Sequence, residues 1–417
     1  MTRARQLWVA VHRWTGLALA AFLLMAGLTG SLLAFYHDLD VALGPDLPQA
    51  AAPGGQTALD PLVLRERAEA QLPQVEISWL PLTIDPGQPV TLYVAPREGR
   101  TANFDEALVD PRTGQVLDTR LWGELPDRAV EVMPFVYRLH YSLALDTVGT
   151  YLMGLIALLW TLDCFVGAYL TMPARRAGRQ PWLKRWSGAW RVRGRGDAFR
   201  LNFDLHRAGG LWLWAMLFVF AWSSVGLNLR EVYNPVMGTA FHMADDRRPQ
   251  TPVAAVTAPQ LDWTQAREAG RAAASRLARE RGFEVIEERY LGYEPDYGVY
   301  QYRVRSSLDI GERYAGTDLW IDGQNGALRA FELPTGQAAG DTITTWLFKL
   351  HFADVGGLPY RIFVCLLGLA VAGLSGTGVY IWWRKRSARR KSAHARTGRG
   401  RGNYTSCGMP ANPVPAE

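Results

Sequence analysis

Cysteine is the scarcest informative residue in this chain. Only three occur in 417 residues, Cys164 and Cys365 inside apolar runs and Cys407 in a basic tail. That excludes a disulfide framework or a thiolate metal site from the long polar segments. Charge is missing in four places: the runs Leu17–Tyr36, Tyr151–Met172, Gly209–Leu229 and Ile362–Trp383 hold one formal charge between them, Asp163. Each run is about the 20 residues needed to cross ~30 Å of hydrocarbon, so four transmembrane helices are expected. The first run is longer than a signal-peptide core and has no A-x-A site, so it is expected to stay in the mature protein. Also missing is a strand that leads into a phosphate-cradling helix. Arg193-Gly-Arg-Gly196 is a charge run, and no flavin or nicotinamide domain is expected.

The charge that is present is segregated. Residues 1–13 carry Arg3, Arg5 and Arg13 with no acid, residues 173–205 carry nine basic and two acidic side chains, and the tail after Trp383 carries nine and one. Basic residues next to a membrane are retained on the cytoplasmic side, which predicts both termini inside and the connections 37–139 and 230–350 outside. Those connections hold 22 basic and 33 acidic residues, so the formal +6 is a cytoplasmic surplus over an acidic outer half. The surplus suits anionic lipid headgroups and gives no reason to expect a nucleic-acid partner. The loop Pro173–Arg200, rich in Arg and Trp, is expected on the headgroups, and the tail 387–417 is expected to be disordered.

A pattern occurs twice. His12-Arg-Trp-Thr-Gly16-Leu matches His206-Arg-Ala-Gly-Gly210-Leu, and Leu139-His140-Tyr matches Leu350-His351-Phe. The latter pair each lead through glycine and an apolar run to Gly167-Ala-Tyr169 and Gly378-Val-Tyr380. Both outer segments also read as small α+β modules. In the first, a helix over Pro61–Gln71 precedes alternating runs at Val75–Ile84, Val90–Ala95 and Ala107–Asp110, a turn at Pro111–Gly114, and Val116-Leu117. In the second, Asp262 caps a helix to Arg281 that Gly282 ends, and strands follow at Phe283–Tyr293, Tyr300–Val304 and Thr317–Ile321 before a turn at Asp322–Gly326. The predicted fold is a four-transmembrane-helix bundle of two parallel repeats with a pseudo-twofold axis along the membrane normal. Its segments are helix 1 (1–36), module 1 (37–139), helix 2 (140–172), cytoplasmic loop (173–205), helix 3 (206–229), module 2 (230–350), helix 4 (351–386) and tail (387–417).

Of seven histidines the repeat singles out four, His12, His140, His206 and His351. The axis pairs His12 with His206 near the inner face and His140 with His351 near the outer. One such imidazole can simply snorkel to the headgroups. Four at repeat-equivalent positions favour a ligand role, because shared ancestry does not require a costly polar residue to survive in both copies. Two imidazoles without cysteine or an E-x-x-H pattern are too few for structural zinc or a di-iron site, but they fill both axial positions of haem b. From His12 to Tyr36 is roughly 36 Å of helix, so two haems are expected. Arg13 and Arg207 follow their histidines and could pair haem carboxylates inside, with Arg138 and Lys349 doing so outside; all four could equally be helix-end anchors. His37 is the rival outer ligand. Asp163, near mid-bilayer, is either functional, in proton movement or in orienting a ligand, or a hydrogen-bonded packing residue near Thr29, Ser223 or Ser224. His242 and His394 are expected in solvent, and the tryptophans form an interfacial belt.

With His12-Arg-Trp-Thr-Gly-Leu leading to Gly27-Leu-Thr-Gly30, Leu205–Leu211, Leu350-His-Phe and the ending Gly376–Arg384, the chain resembles the PepSY-associated transmembrane family over residues 5–386. Within that resemblance, Leu108–Val116 and Leu319–Leu328 look like the ends of two PepSY modules. The resemblance implies a bacterial inner-membrane reductase acting on ferric siderophores in the periplasm, with haem b held by histidines that fall on His12, His140, His206 and His351. The electron donor is then expected to be external, a flavin reductase or a quinol. The competing expectations are a membrane-anchored scaffold whose modules bind a periplasmic protein, and an ion-coupled transporter, for which Asp163 alone offers too little intramembrane charge.

Overall fold

The computed structural model describes residues 2–46, 57–173, 181–194, 197–244, 248–249 and 258–402. Three helices are long and apolar enough to cross a membrane: α1 (Arg3–Leu33), α5 (Asp146–Thr171) and, over Gly357–Arg390, α12 (Gly357–Gly402). In the third expected span the helix is broken at Leu213 into α7 (Ala198–Trp212) and α8 (Trp214–Asn228), which pass the same test together. Gly209 and Gly210 stand just before the break, and small residues in pairs are a common cause of one. Residues 387–402, expected as part of a disordered tail, continue α12; Ala, Arg and Lys favour the helix as far as Arg396 and no proline interrupts it. The rest of the tail, 403–417, lies outside the described residues.

The chain forms two compact units. One comprises Met1–Leu24, Leu162–Trp214 and Ala370–Glu417. In it the short α6 (Trp182–Trp186) begins a tryptophan stack, Trp182 on Trp186 at 5.2 Å and Trp186 on Trp190 at 5.3 Å. Residues 174–180 and 195–196 of the loop lie outside the described residues.

The other unit, Met25–Thr161 and Ala215–Leu369, holds the connections 37–139 and 230–350. The first follows α2 (Tyr36–Leu43) with α3 (Pro61–Gln71) and strands β1 (Val75–Pro81), β2 (Val90–Pro96), β3 (Glu106–Val109) and β4 (Val116–Arg120). The second follows α9 (Arg230–Ala240) with α10 (Trp263–Arg281) and β5 (Val285–Glu294), β6 (Val299–Ser306), β7 (Thr317–Asp322) and β8 (Leu328–Glu332). Local chemistry sets these elements. Asp60 caps α3 through the Leu62 amide with Pro61 in the first turn, and Asp262 and Gln265 form a reciprocal capping box on α10. Gly282, in the left-handed region at φ 74°, closes α10.

The two modules were expected as separate units, yet they share one antiparallel sheet in the order β4-β3-β2-β1-β5-β6-β7-β8. The seam pairs Trp79 with Gly292, Leu80 with Leu291 and Pro81 with Tyr290. A Cβ at Gly292 would lie 2.3 Å from the Trp79 indole, so only glycine lets the seam strands meet. One face of the sheet builds a single core with both helices, including Leu64, Ile77, Leu92, Leu277, Tyr302 and Leu319. Glu288 fastens α10 to β5 by accepting from Arg267 (2.6 Å), Arg271 (2.6 Å) and the Tyr302 hydroxyl (2.8 Å). Burial alone would raise that carboxyl, but these donors outweigh it and hold it down at about 2. Arg120, 2% exposed, ties β4 to Glu106 at 2.6 Å and to Asp40 of α2 at 2.8 Å.

Two short helices not foreseen in the sequence carry His140 and His351. His140 lies in α4 (Val132–Ser142) and His351 ends α11 (Ala339–His351). The chain leaves α4 through Leu143 and Ala144 in the left-handed region, and a Cβ at Gly149 would meet the Ser142 carbonyl at 1.6 Å. The glycine after His140 is thus required by the end of α4 folding back on α5.

Candidate functional site

The four repeat-related histidines come together two by two. In the first unit the rings of His12 and His206 have centroids 6.3 Å apart, tilted at 53°. In the second, His140 and His351 are 6.4 Å apart at 64°. Both expected pairings are therefore present. His37 is exposed and makes no hydrogen bond or ring contact, so it does not join the outer pair. His242 is exposed as well. His394 lies in the part of α12 whose side chains are outside the described residues.

All four rings hydrogen-bond through Nδ1 alone. His12 Nδ1 donates to both Asp163 oxygens at 3.0 Å. His206 Nδ1 donates to the Leu374 carbonyl at 3.1 Å and lies 3.0 Å from the Thr377 hydroxyl. The Thr29 hydroxyl lies 2.8 Å from the Met25 carbonyl and 2.8 Å from His140 Nδ1. The Ser223 hydroxyl lies 3.1 Å from the Phe220 carbonyl and 2.7 Å from His351 Nδ1. Carboxylates and carbonyls only accept, so His12 and His206 carry a proton on Nδ1, while a hydroxyl can meet the Nδ1 of His140 or His351 as donor or acceptor. Anchoring one nitrogen to fix the other is how proteins prepare an imidazole for a metal.

Small residues make room for the rings. A Cβ at Gly167 would lie 3.5 Å from His12 Cε1, one at Gly378 would lie 3.3 Å from His206 Cε1, and one at Gly30 would lie 3.1 Å from His140 Cε1. Phe220 stacks on His351 at 4.9 Å and 27°. From the neighbour of His140 a chain of rings runs Tyr141–Tyr137 at 5.7 Å, then Tyr137–Tyr36 at 5.9 Å and Tyr137–Trp122 at 5.7 Å.

The ring spacing bears on what each pair could hold. A metal–nitrogen bond of about 2.0 Å, with about 1.1 Å more to the ring centre, sets two imidazoles on opposite sides of one iron about 6.2 Å apart. Both pairs match that distance. Among the described residues no group of three or more His, Cys, Asp or Glu side chains is arranged to hold a metal ion, so each pair offers two protein ligands. That set suits a macrocycle that supplies the remaining four.

The expected cationic partners divide. The Arg13 guanidinium lies over the Trp14 ring at 5.1 Å, and its buried Nε has no hydrogen-bond partner. It can receive a carboxylate. Arg207 is already engaged through Nε and Nη2: it donates to Asp204 at 2.8 Å and to the Ala189, Gly188 and Arg191 carbonyls, because the 181–194 segment folds back onto α7. Arg138 is held by Glu124 and Asp146, and Lys349 by Asp354 and the Tyr314 carbonyl. The hydrogen-bond partner of Asp163 is His12. Sequence reasoning named Thr29 and Ser223 only as possible neighbours of Asp163, not as partners of His140 and His351, and it missed Thr377. The repeat carried a signal for the first two, since each stands at the same place along the chain counted from its own first histidine.

The second module also has an open cleft of about 660 Å³ on the sheet face turned from α10, lined by Tyr297, Gln301, Arg303, Asp318, Trp320 and Glu332 among others. Two of its donors are already paired: Asp318 accepts from Gln301 and Arg303, each at 2.7 Å.

A sequence model of the PepSY-associated TM region matches residues 9–385 of this chain. No curated protein matches it significantly.

Proposed function

The chain belongs to the PepSY-associated transmembrane family of membrane proteins, and from that premise we propose that it is a di-haem b electron-transfer protein of the bacterial inner membrane. It passes electrons from the cytoplasmic side to a periplasmic acceptor, a ferric siderophore whose iron leaves as Fe(II). The observation that carries this reading is the pair of Nδ1-anchored imidazole couples at 6.3 and 6.4 Å. Haem b, when bound, supplies reversible one-electron chemistry. The chain's residues do the rest. His12 with His206, and His140 with His351, would hold the iron from both sides and leave no open position for oxygen. Asp163 and the Leu374 carbonyl keep His12 and His206 in the ligating tautomer, and Thr29 and Ser223 hold His140 and His351 at Nδ1. Arg13 would meet a haem carboxylate in the first unit. The two sites lie on a chain with four apolar spans, three continuous helices and the broken α7–α8 pair, which supports a relay across the bilayer. The basic segments 1–13, 173–205 and 384–401 support an inward orientation for both termini. The donor would be a flavin reductase or a quinol.

The second reading, a membrane-anchored scaffold whose modules bind a periplasmic protein, draws on the cleft beside Trp320 and Arg303. The absorption spectrum of detergent-purified protein separates the two. A Soret band that sharpens and shifts with dithionite, at two haems per chain, is expected for the first reading. A colourless protein made in haem-replete cells would leave the scaffold. His206→Ala and His351→Ala should each remove one haem and keep the other.

A further inference from the structure

Three of the four histidines rest on neutral groups: hydroxyls for His140 and His351, a carbonyl and a hydroxyl for His206. His12 alone rests on a carboxylate. Counted from His140 and His351, Asp163 on α5 and Leu374 on α12 occupy the same position, so in the second copy a backbone carbonyl does what the carboxylate does in the first. Asp163 is 11% exposed, and among the described residues its hydrogen-bond and ion-pair partner is His12, so its negative charge is spent on that one imidazole.

A carboxylate that accepts from the distal nitrogen makes an imidazole a more basic ligand than a hydroxyl or a carbonyl does. A more basic ligand favours the oxidised, more positive iron, and partial burial strengthens the effect. Resting on the reading above, we propose that Asp163 makes the His12–His206 site the more reducing of the two, so that an electron moves downhill from it to the His140–His351 site. With haem held at both sites the transfer would be of one electron, given up by the His12–His206 site and taken by the His140–His351 site. Asp163 touches neither the iron nor the acceptor, and it acts as a positioning and polarising residue through His12. Neither ring of the His140–His351 site rests on a carboxylate, so this charge distinguishes the two sites.

The test is a potentiometric titration of the full-length, haem-loaded protein in detergent, followed at the visible bands. The wild type is expected to resolve two components, and His206→Ala should leave only the higher. Asp163→Asn, which keeps a hydrogen-bond acceptor and removes the charge, should raise the lower component, leave the upper unmoved and keep two haems. Asp163→Glu, which keeps the charge, should hold the lower component near its wild-type value. Asp163→Asn with both potentials unchanged, or with a shift in the component that survives His206→Ala, would overturn the proposal. If Asp163→Asn fails to load, a high potential for the lower component in Asp163→Glu would overturn it equally. Protein without haem refutes the di-haem reading itself and is visible in the spectrum before any titration.

Discussion

Gly378 supports His206 from α12, and enlarging it measures how closely the site is built. A Cβ there would stand 3.3 Å from His206 Cε1 and 3.8 Å from Nδ1. Ordinary carbon–carbon contact is ~3.7 Å, so alanine displaces the ring by about 0.4 Å. That is inside the roughly 0.5 Å tolerance of a preorganised site, and Gly378→Ala should keep two haems with slightly altered spectra. Leucine adds branched carbons beyond the Cβ and demands a shift of about 1.9 Å, one carbon–carbon bond length more than the alanine case. The Nδ1 contacts to Leu374 and Thr377, now 3.1 and 3.0 Å, would then be lost and Nε2 carried away from its partner. Gly378→Leu should therefore bind one haem per chain, read from the pyridine haemochromogen ratio, with one low-spin signal missing from the EPR spectrum. Leucine is a better helix former than glycine by about 1 kcal/mol, so a weakened α12 cannot account for the loss. Across alanine variants the disturbance should follow the contacts, largest at Gly30 (3.1 Å), then Gly378, least at Gly167 (3.5 Å). Two unperturbed low-spin haems in Gly378→Leu would refute the assignment of His206 as a ligand.

Other consequences can be measured separately. Thr29→Val and Ser223→Ala remove the hydroxyl partners of His140 and His351 and should lower haem retention at the His140–His351 site by about 10–100-fold in competition with apomyoglobin, sparing the His12–His206 site. Because the Glu288 carboxyl is held at about 2 in the fold against an ordinary 4.5, its contribution of roughly 3 kcal/mol is complete above pH ~4.5 and is lost as the pH falls towards 2. Acid unfolding of Glu288→Gln followed by circular dichroism should lack that dependence. Gly292→Val places a branched side chain against Trp79 and should expose the β1–β5 seam to proteolysis. Arg120→Met strands the buried Glu106 carboxylate and should cost about 3–5 kcal/mol in denaturant unfolding.

Much of this was legible in the sequence because it is local or repeated. The Asp262 cap, the Gly282 stop and the run Pro61–Gln71 are set by neighbouring residues, and they stand where expected. The four histidines were legible because the short patterns that hold them each occur twice in the sequence. The rest depends on long-range partners. Nothing near Trp79 announces that Gly292 will sit against it. Asp163 and His12 are 151 residues apart, so the sequence marked the aspartate as unusual without naming what it touches. Arg207 follows its histidine and looked free, but its guanidinium is taken by a loop that returns from earlier in the chain. The histidine contacts of Thr29 and Ser223 were hidden by the ordinariness of these residues, since a hydroxyl in an apolar helix usually bonds its own backbone, as both also do.

The seam between β1 and β5 makes each module the cover of the other's open edge. A chain cut between the copies, near residue 190, would leave two fragments that each end their four-stranded sheet on bare amide and carbonyl groups. Because the pairing is antiparallel, such an edge is complementary to itself. Two identical first-half fragments could close an eight-stranded sheet about a true twofold axis, with both histidine couples completed from separate chains. In that homodimer a carboxylate at position 163 would necessarily appear on both sides. Only in a covalently joined pair can one side keep it while the other gives it up.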